Sequence, residues 1–290
     1  MKLIRYIGKT TITKIFNSKI CIFFFVFLIY AWSFERPYLH FISEKGYHIS
    51  WCIFPFCMTS YSILSFFYFG VIFINSDVPF MQQTNMYHVI RMGRKQWVLG
   101  QIGGILIRSV FLTVISIIVS VLPVIGHIEF SNNWGKVIYT LASSRHMEKF
   151  YMENDVEFIF PYEALQDFNP LELMGLVLLL CILILTFLGI AMFMLSLFGG
   201  KLWAVLGGFF IVFLLFFVEN TPGYNRITIA RFVPVYWLEL ALSSTPSSGY
   251  YRMPSVTYML IFLILSILAI SLVICRKINR IELNWENEDV

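Results

Sequence analysis

Few residues in this chain are of a type and spacing that could do chemistry. A nucleotide phosphate is gripped by a G-x-x-x-x-G-K-[ST] loop, whose backbone N–H groups cradle the oxygens while the Lys reaches them. The nearest approximations are Gly199-Gly200-Lys201, followed by Leu202 without the upstream glycine, and Gly100-Gln101-Ile102-Gly103-Gly104, which opens an apolar stretch with no strand before it. The second reads better as close helix packing, as does Gly207-Gly208. The five histidines form no H-x-x-x-H or H-E-x-x-H pair, and no G-x-S-x-G elbow occurs. Cys21, Cys52, Cys57, Cys181 and Cys275 lie in or beside apolar segments without metal-ligand spacing. Cys52 and Cys57 are near enough for a disulfide, although two free thiols is the reading adopted. The expectation is therefore of no catalytic, cofactor-binding or metal-binding residue, and of no enzyme. No basic stripe with interleaved aromatics suggests nucleic acid.

Composition points to what the chain is instead. It has 58% hydrophobic and 13% charged residues, with Phe supplying 30 of 290, too little polar surface for a soluble domain of this length. The class expected is an all-α polytopic membrane protein with about six spans, each needing about 20 apolar residues. The stretches are Phe16–Phe34, Trp51–Ile74, Trp97–Ile125, Leu171–Phe198, Leu202–Val218 and Val256–Cys275. Gly199-Gly200-Lys201 makes the fourth and fifth a tight helical hairpin, with one longer helix the alternative from hydropathy. The basic start has no small-residue cleavage site after its apolar run, so the first span is expected to remain. Within these spans ionisable residues are scarce. Arg108, about a third of the way into the third, either snorkels to the inner interface or makes a buried functional contact.

The Lys/Arg distribution orients the spans. Lys2, Arg5, Lys9, Lys14 and Lys19 precede the first; Arg91, Arg94 and Lys95 lie in the second connection, Lys201 in the fourth, and Arg276, Lys277 and Arg280 after the last. With six spans these share one side. Glu129, Glu148, Glu153, Asp155, Glu157, Glu163 and Asp167 crowd the third connection on the other. Both termini are therefore predicted cytoplasmic. Leu3, Ile4, Ile7 and Ile15 face away from Lys2, Arg5 and Lys9, which predicts an N-terminal amphipathic helix lying in the plane of an anionic leaflet.

The second connection, Ser76 to Trp97, carries the most information. Ser76 or Asp77 can cap a helix, Pro79 suits its first turn, and Gly93 can end it. That predicts a short cytoplasmic helix with Met86, Val89 and Ile90 on one side and Phe80 and Tyr87 roughly opposite. Apolar residues on both sides imply two packing partners, the membrane helices and another protein.

Here the chain resembles the permease subunit of a type-2 ABC exporter, of the bacterial peptide- or bacteriocin-export and immunity kind. The segments Asp77-Val78-Pro79-Phe80 and Ile90-Arg91-Met92-Gly93-Arg94-Lys95-Gln96-Trp97 carry the likeness, together with the span order and basic N-terminal helix. The resemblance implies a coupling helix docking into a separate ATPase subunit, through Asp77, Pro79, Phe80, Tyr87, Arg91, Gly93, Arg94 and Trp97. It also implies ATP and Mg on that partner, none in this chain, and a second permease copy or a related permease. A bacterial inner or plasma membrane location is implied too, with the lipid bilayer as surroundings. Re-entrant helices are expected between the last two spans, where Ile227–Leu242 could form them with Pro234 as a break.

The whole chain reads as one transmembrane permease domain, with residues 127–170 a small extracellular subdomain longer than a minimal family member needs. In it Trp134, Val137, Ile138 and Leu141 recur at amphipathic helical spacing. The acidic, aromatic stretch Glu153 to Phe168 suits a cationic peptide, the exit path or plain solvent. The function expected is ATP-driven export of an amphipathic, peptide or lipid-like, substrate. The alternatives are a non-transporting scaffold or sensor subunit, and an ion-coupled secondary transporter.

Overall fold

The computed structural model describes residues 18–76, 89–143, 150–151, 156–243 and 252–280, and these are mostly helical. The N-terminal amphipathic helix lies outside them. The first helix, α1 (Ser18–Lys45), outruns the predicted Phe16–Phe34. Ile20, Phe23, Phe27, Ala31, Glu35, Tyr38 and Ile42 are buried at a three- or four-residue repeat, so one stripe faces the bundle throughout. Phe25, Ile29 and Trp32 point outward.

The expected second span, Trp51–Ile74, is broken. A two-residue strand, β1 (Ile49–Ser50), precedes a single turn, α2 (Phe54–Cys57), and then α3 (Tyr61–Asn75). Pro55 sits in the first turn of α2, where its missing N–H costs nothing. The Ser60 hydroxyl accepts from the Ile63 N–H and caps α3. At 15 residues α3 is only about 22 Å long.

The third helix of the bundle, α4 (Arg94–Val121), continues into a 3-10 turn, Leu122–His127. Its Ser109, Thr113 and Ser116 hydroxyls donate to carbonyls four residues back, which satisfies them inside an apolar bundle. Strand β2 (Ile128–Glu129) then pairs parallel to β1, with Ile49 opposite Ile128. Helices α5 (Gly135–Ser143) and α6 (Tyr162–Asp167) complete this end. The predicted amphipathic face is observed: Trp134, Val137, Ile138 and Leu141 are all buried. Trp134 also donates its indole N–H to the Phe168 carbonyl at 3.1 Å.

The long apolar element α7 (Pro170–Glu219) is helical at both ends but breaks at Gly200, whose φ of +84° and ψ of −177° belong to glycine alone. Met192 Sδ lies 3.2 Å from where a Cβ on Gly208 would be, and Leu195 covers Gly207 in the same way. Those pairs would be over 15 Å apart along one continuous helix, at about 1.5 Å per residue. The two halves therefore fold back on each other as the expected hairpin, and the single-helix alternative is excluded. After α8 (Tyr224–Ala230) the chain turns and continues as a 3-10 helix, Pro234–Leu242, all nine residues buried. The break before Pro234 is where the sequence placed it. The last helix, α9 (Val256–Lys277), is capped by Ser255.

Among the described residues four helices are long and apolar enough to cross a membrane: Ser18–Lys45, Arg94–His127, Pro170–Glu219 and Val256–Lys277. The chain is thus a membrane-embedded helical protein. Six expected spans become four long helices because α7 contains two of them and α3 is short.

Candidate functional site

One end of the bundle gathers the basic residues. Lys277 lies 5.4 Å from the Phe198 ring and Arg94 bonds the carbonyls of Ile278 and Asn279, so the start of α4, the α7 turn and the end of α9 lie together, while Lys19 of α1 donates to Ser76 at the end of α3 at 2.9 Å. Within this end residues 89–92 are helical, and Gly93 ends them with a φ of +82° while starting α4. Asp77, Pro79, Phe80 and Tyr87 lie outside the described residues, as does Met86.

The remaining residues of the segment divide by direction. Val89 and Met92 pack on a small apolar core of Trp97, Val98, Ile105, Ile190, Phe193, Leu197, Ile274 and Ile278. Ile90 is 70% exposed, and Arg91 is exposed beside it. The expectation that Val89 and Ile90 share a side is therefore corrected: a 100° helical step separates them, enough to send one inward and one out. Trp97 is fully buried, with its ring 6.0 Å from Phe193. Its side chain packs inward and can position the segment. Arg94 turns back on its own chain, donating to the carbonyls of Ile278 and Asn279 at 3.3 Å each. A basic residue bonding the carbonyls just past the end of α9 also meets the negative end of that helix. The outward side chains here include Ile90, Arg91, Lys95 and Gln96.

Arg108 does not snorkel. It is 5% exposed, about 21 Å along α4 from Arg94, and donates to Asn75 Oδ1 at 3.4 Å. The apolar end of α3 thus finishes in an amide that meets a guanidinium, where Ile105 also packs against Gly189 of α7.

Sequence reading missed two buried carboxylates. Glu35 of α1 is 1% exposed, and its Oε1 accepts from Cys57 Sγ at 3.6 Å. Cys52 and Cys57 are both free thiols. Glu239, in the 3-10 helix Pro234–Leu242, is also 1% exposed. Burial, with the Glu219 charge nearby, holds its carboxyl well above the usual range, while Arg226 and Arg252 pull the other way. Hydropathy could not place either group inside the bundle, because Glu35 lies past the predicted end of the first span beside Arg36, and Glu239 lies outside all six predicted spans. Two signals were available: Glu35 falls at the helical repeat of Ala31 and Tyr38, and Glu239 falls three residues from Tyr236.

At the opposite end the aromatic part of the 156–168 stretch is core. Phe158 and Phe160 are buried, and Tyr38 donates its hydroxyl to the Phe158 carbonyl. Glu157, Glu163 and Asp167 remain on the surface. No group of three or more His, Cys, Asp or Glu among the described residues is placed to hold a metal ion. In comparisons with known proteins, no family model, no curated protein and no solved structure matches this chain.

Proposed function

We propose that the chain is the permease subunit of an ATP-driven type-2 ABC exporter, moving an amphipathic peptide or lipid-like substrate with ATP hydrolysed by a separate subunit. The observation that supports it best is the two-sided segment before α4. Val89, Met92 and Trp97 fix its inner side to α7 and α9, while Ile90 and Arg91 face outward with no role in the bundle's apolar core. A lever needs both: a rigid grip on the helices and a free face for the partner. In this reading α3 and both halves of α7 each cross the bilayer, giving six crossings with both termini cytoplasmic. Two permease copies, identical or related, form the path.

The test is co-purification from membranes with an ATPase encoded beside this chain. Ile90→Asp with Arg91→Glu is expected to lower the recovered ATPase at least tenfold and leave the permease folded. A chain that is active alone, with no ATPase bound, overturns the proposal. The buried Glu35 and Glu239 favour the ion-coupled alternative, which predicts uptake into vesicles driven by a pH or sodium gradient without ATP.

A further inference from the structure

A cleft of about 510 Å³ opens where the two-stranded sheet meets α5, a size usual for small-molecule sites. Its walls follow from the local sequence. Glu129 ends β2, which the pairing with β1 holds in place, and Tyr47 lies two residues before β1. The facing wall is α5. Its Val137, Ile138 and Leu141 are buried, so its inner side is fixed. Lys136, Tyr139 and Thr140, three and four residues apart, share the other side and line the cleft.

The charges on these walls are opposite and apart. Glu129 and Lys136 line the same cleft, yet they form no ion pair with each other among the described residues. The Lys136 ammonium instead lies 5.9 Å from the centroid of the Tyr47 ring. Tyr139 is 45% exposed, and its ring meets no other ring or cation among the described residues. The cleft therefore presents an unpaired carboxylate, an ammonium held on one ring, and a second aromatic face left open.

That arrangement selects among ligands. A lone cation drawn to Glu129 is opposed by Lys136, and a lone anion drawn to Lys136 is opposed by Glu129. An apolar ligand would take both charges out of water without pairing either. A molecule that carries both charges pairs each of them, and its covalent linker delivers the second group once the first is bound. The open ring favours an ammonium, because the π-face attracts a cation. We propose that this cleft binds a small zwitterion, with its ammonium at Glu129 and the Tyr139 ring and its acidic group at Lys136. The headgroups of zwitterionic phospholipids and free solutes of the betaine type share that chemistry. Binding there needs neither ATP nor a gradient, so it holds whether or not the chain is a permease.

Calorimetric titration of the full chain in nanodiscs of phosphatidylglycerol, a headgroup without an ammonium, tests the site. Glycine betaine and glycerophosphocholine should each bind about tenfold or more tightly than choline or acetate, which carry one charge apiece. Glu129→Gln and Lys136→Met should each weaken both zwitterions about tenfold or more, and Tyr139→Leu several-fold. Glu129, Lys136 and Tyr139 are exposed, so the melting point should stay at the wild-type value in each variant. Glu163→Gln, which changes an exposed acid outside the cleft, should bind as the wild type does. Nanodiscs of phosphatidylcholine distinguish the two sources. Weakened binding of glycerophosphocholine there means that lipid headgroups fill the cleft, unchanged binding means a free solute, and both uphold the site. The proposal is overturned if neither zwitterion binds, if choline or acetate binds as tightly, or if Glu129→Gln and Lys136→Met bind the zwitterions as the wild type does.

Discussion

Single residues decide how the apolar bundle tolerates polar groups. Arg108 is buried against Asn75, so its role is interior, and replacing it should be costly. Arg108→Leu is expected to destabilise the chain by about 1–3 kcal/mol, the cost of leaving buried partners unsatisfied. The measurement is the thermal melting point in detergent, and a melting point unchanged from wild type would mean the side chain reaches water. Cys52 gives a pH prediction. Burial pushes its thiol up to about 11. The folded state is therefore favoured in full below about pH 8.5, the ordinary thiol value, and that contribution is lost as pH rises through 11. At pH 8.5 alkylation should leave Cys52 unmodified in folded protein and modify it on unfolding, as read by mass spectrometry. Legibility at this scale was uneven. Arg108 stood out because a charge in an apolar run is rare, but its direction depended on where α3 ends. Glu35 was hidden because α1 runs eleven residues past the predicted span, carrying it into a helix thought to have stopped at Phe34.

At the scale of elements, breaks are the informative features. Gly93 and Gly200 both have φ above +80° with an extended ψ, a region that even Asn avoids. Gly200→Ala and Gly200→Asn should each destabilise by about 1–3 kcal/mol, whereas Gly175→Ala, at a site with open space around it, should be nearly neutral. Equal melting points for Gly175→Ala and both Gly200 variants would count against the hairpin turn. The amphipathic face of α5 and the break at Pro234 were readable from sequence because periodicity and proline act locally. The division of Trp51–Ile74 was not read, although Pro55 and the Thr59-Ser60 pair before an apolar run were its local signals. Hydropathy averaged over both halves. Likewise the direction of Trp97 could not be read from its own helix, since what buries it comes from α7 and α9.

For the whole molecule, the charge bias along the chain has a spatial counterpart: Arg94, Lys277 and the α7 turn that carries Lys201 lie together, and Glu157, Glu163 and Asp167 are on the surface of a different part of the chain. The six-crossing reading predicts that Arg91→Cys and Phe130→Cys, each introduced singly, react with an impermeant maleimide from opposite sides of sealed vesicles. Labelling of both from one side would refute the orientation. The unequal lengths of the helices carry a further consequence. Hydrocarbon is about 30 Å thick, and α3, with Phe69 and Phe73 facing outward, covers only about 22 Å of it. Lipid beside α3 must shorten its reach to match, while lipid beside α4 need not. If α3 crosses the bilayer, as the six-crossing reading has it, so short a crossing would draw the two leaflets together along one flank and favour shorter-chain lipids beside it.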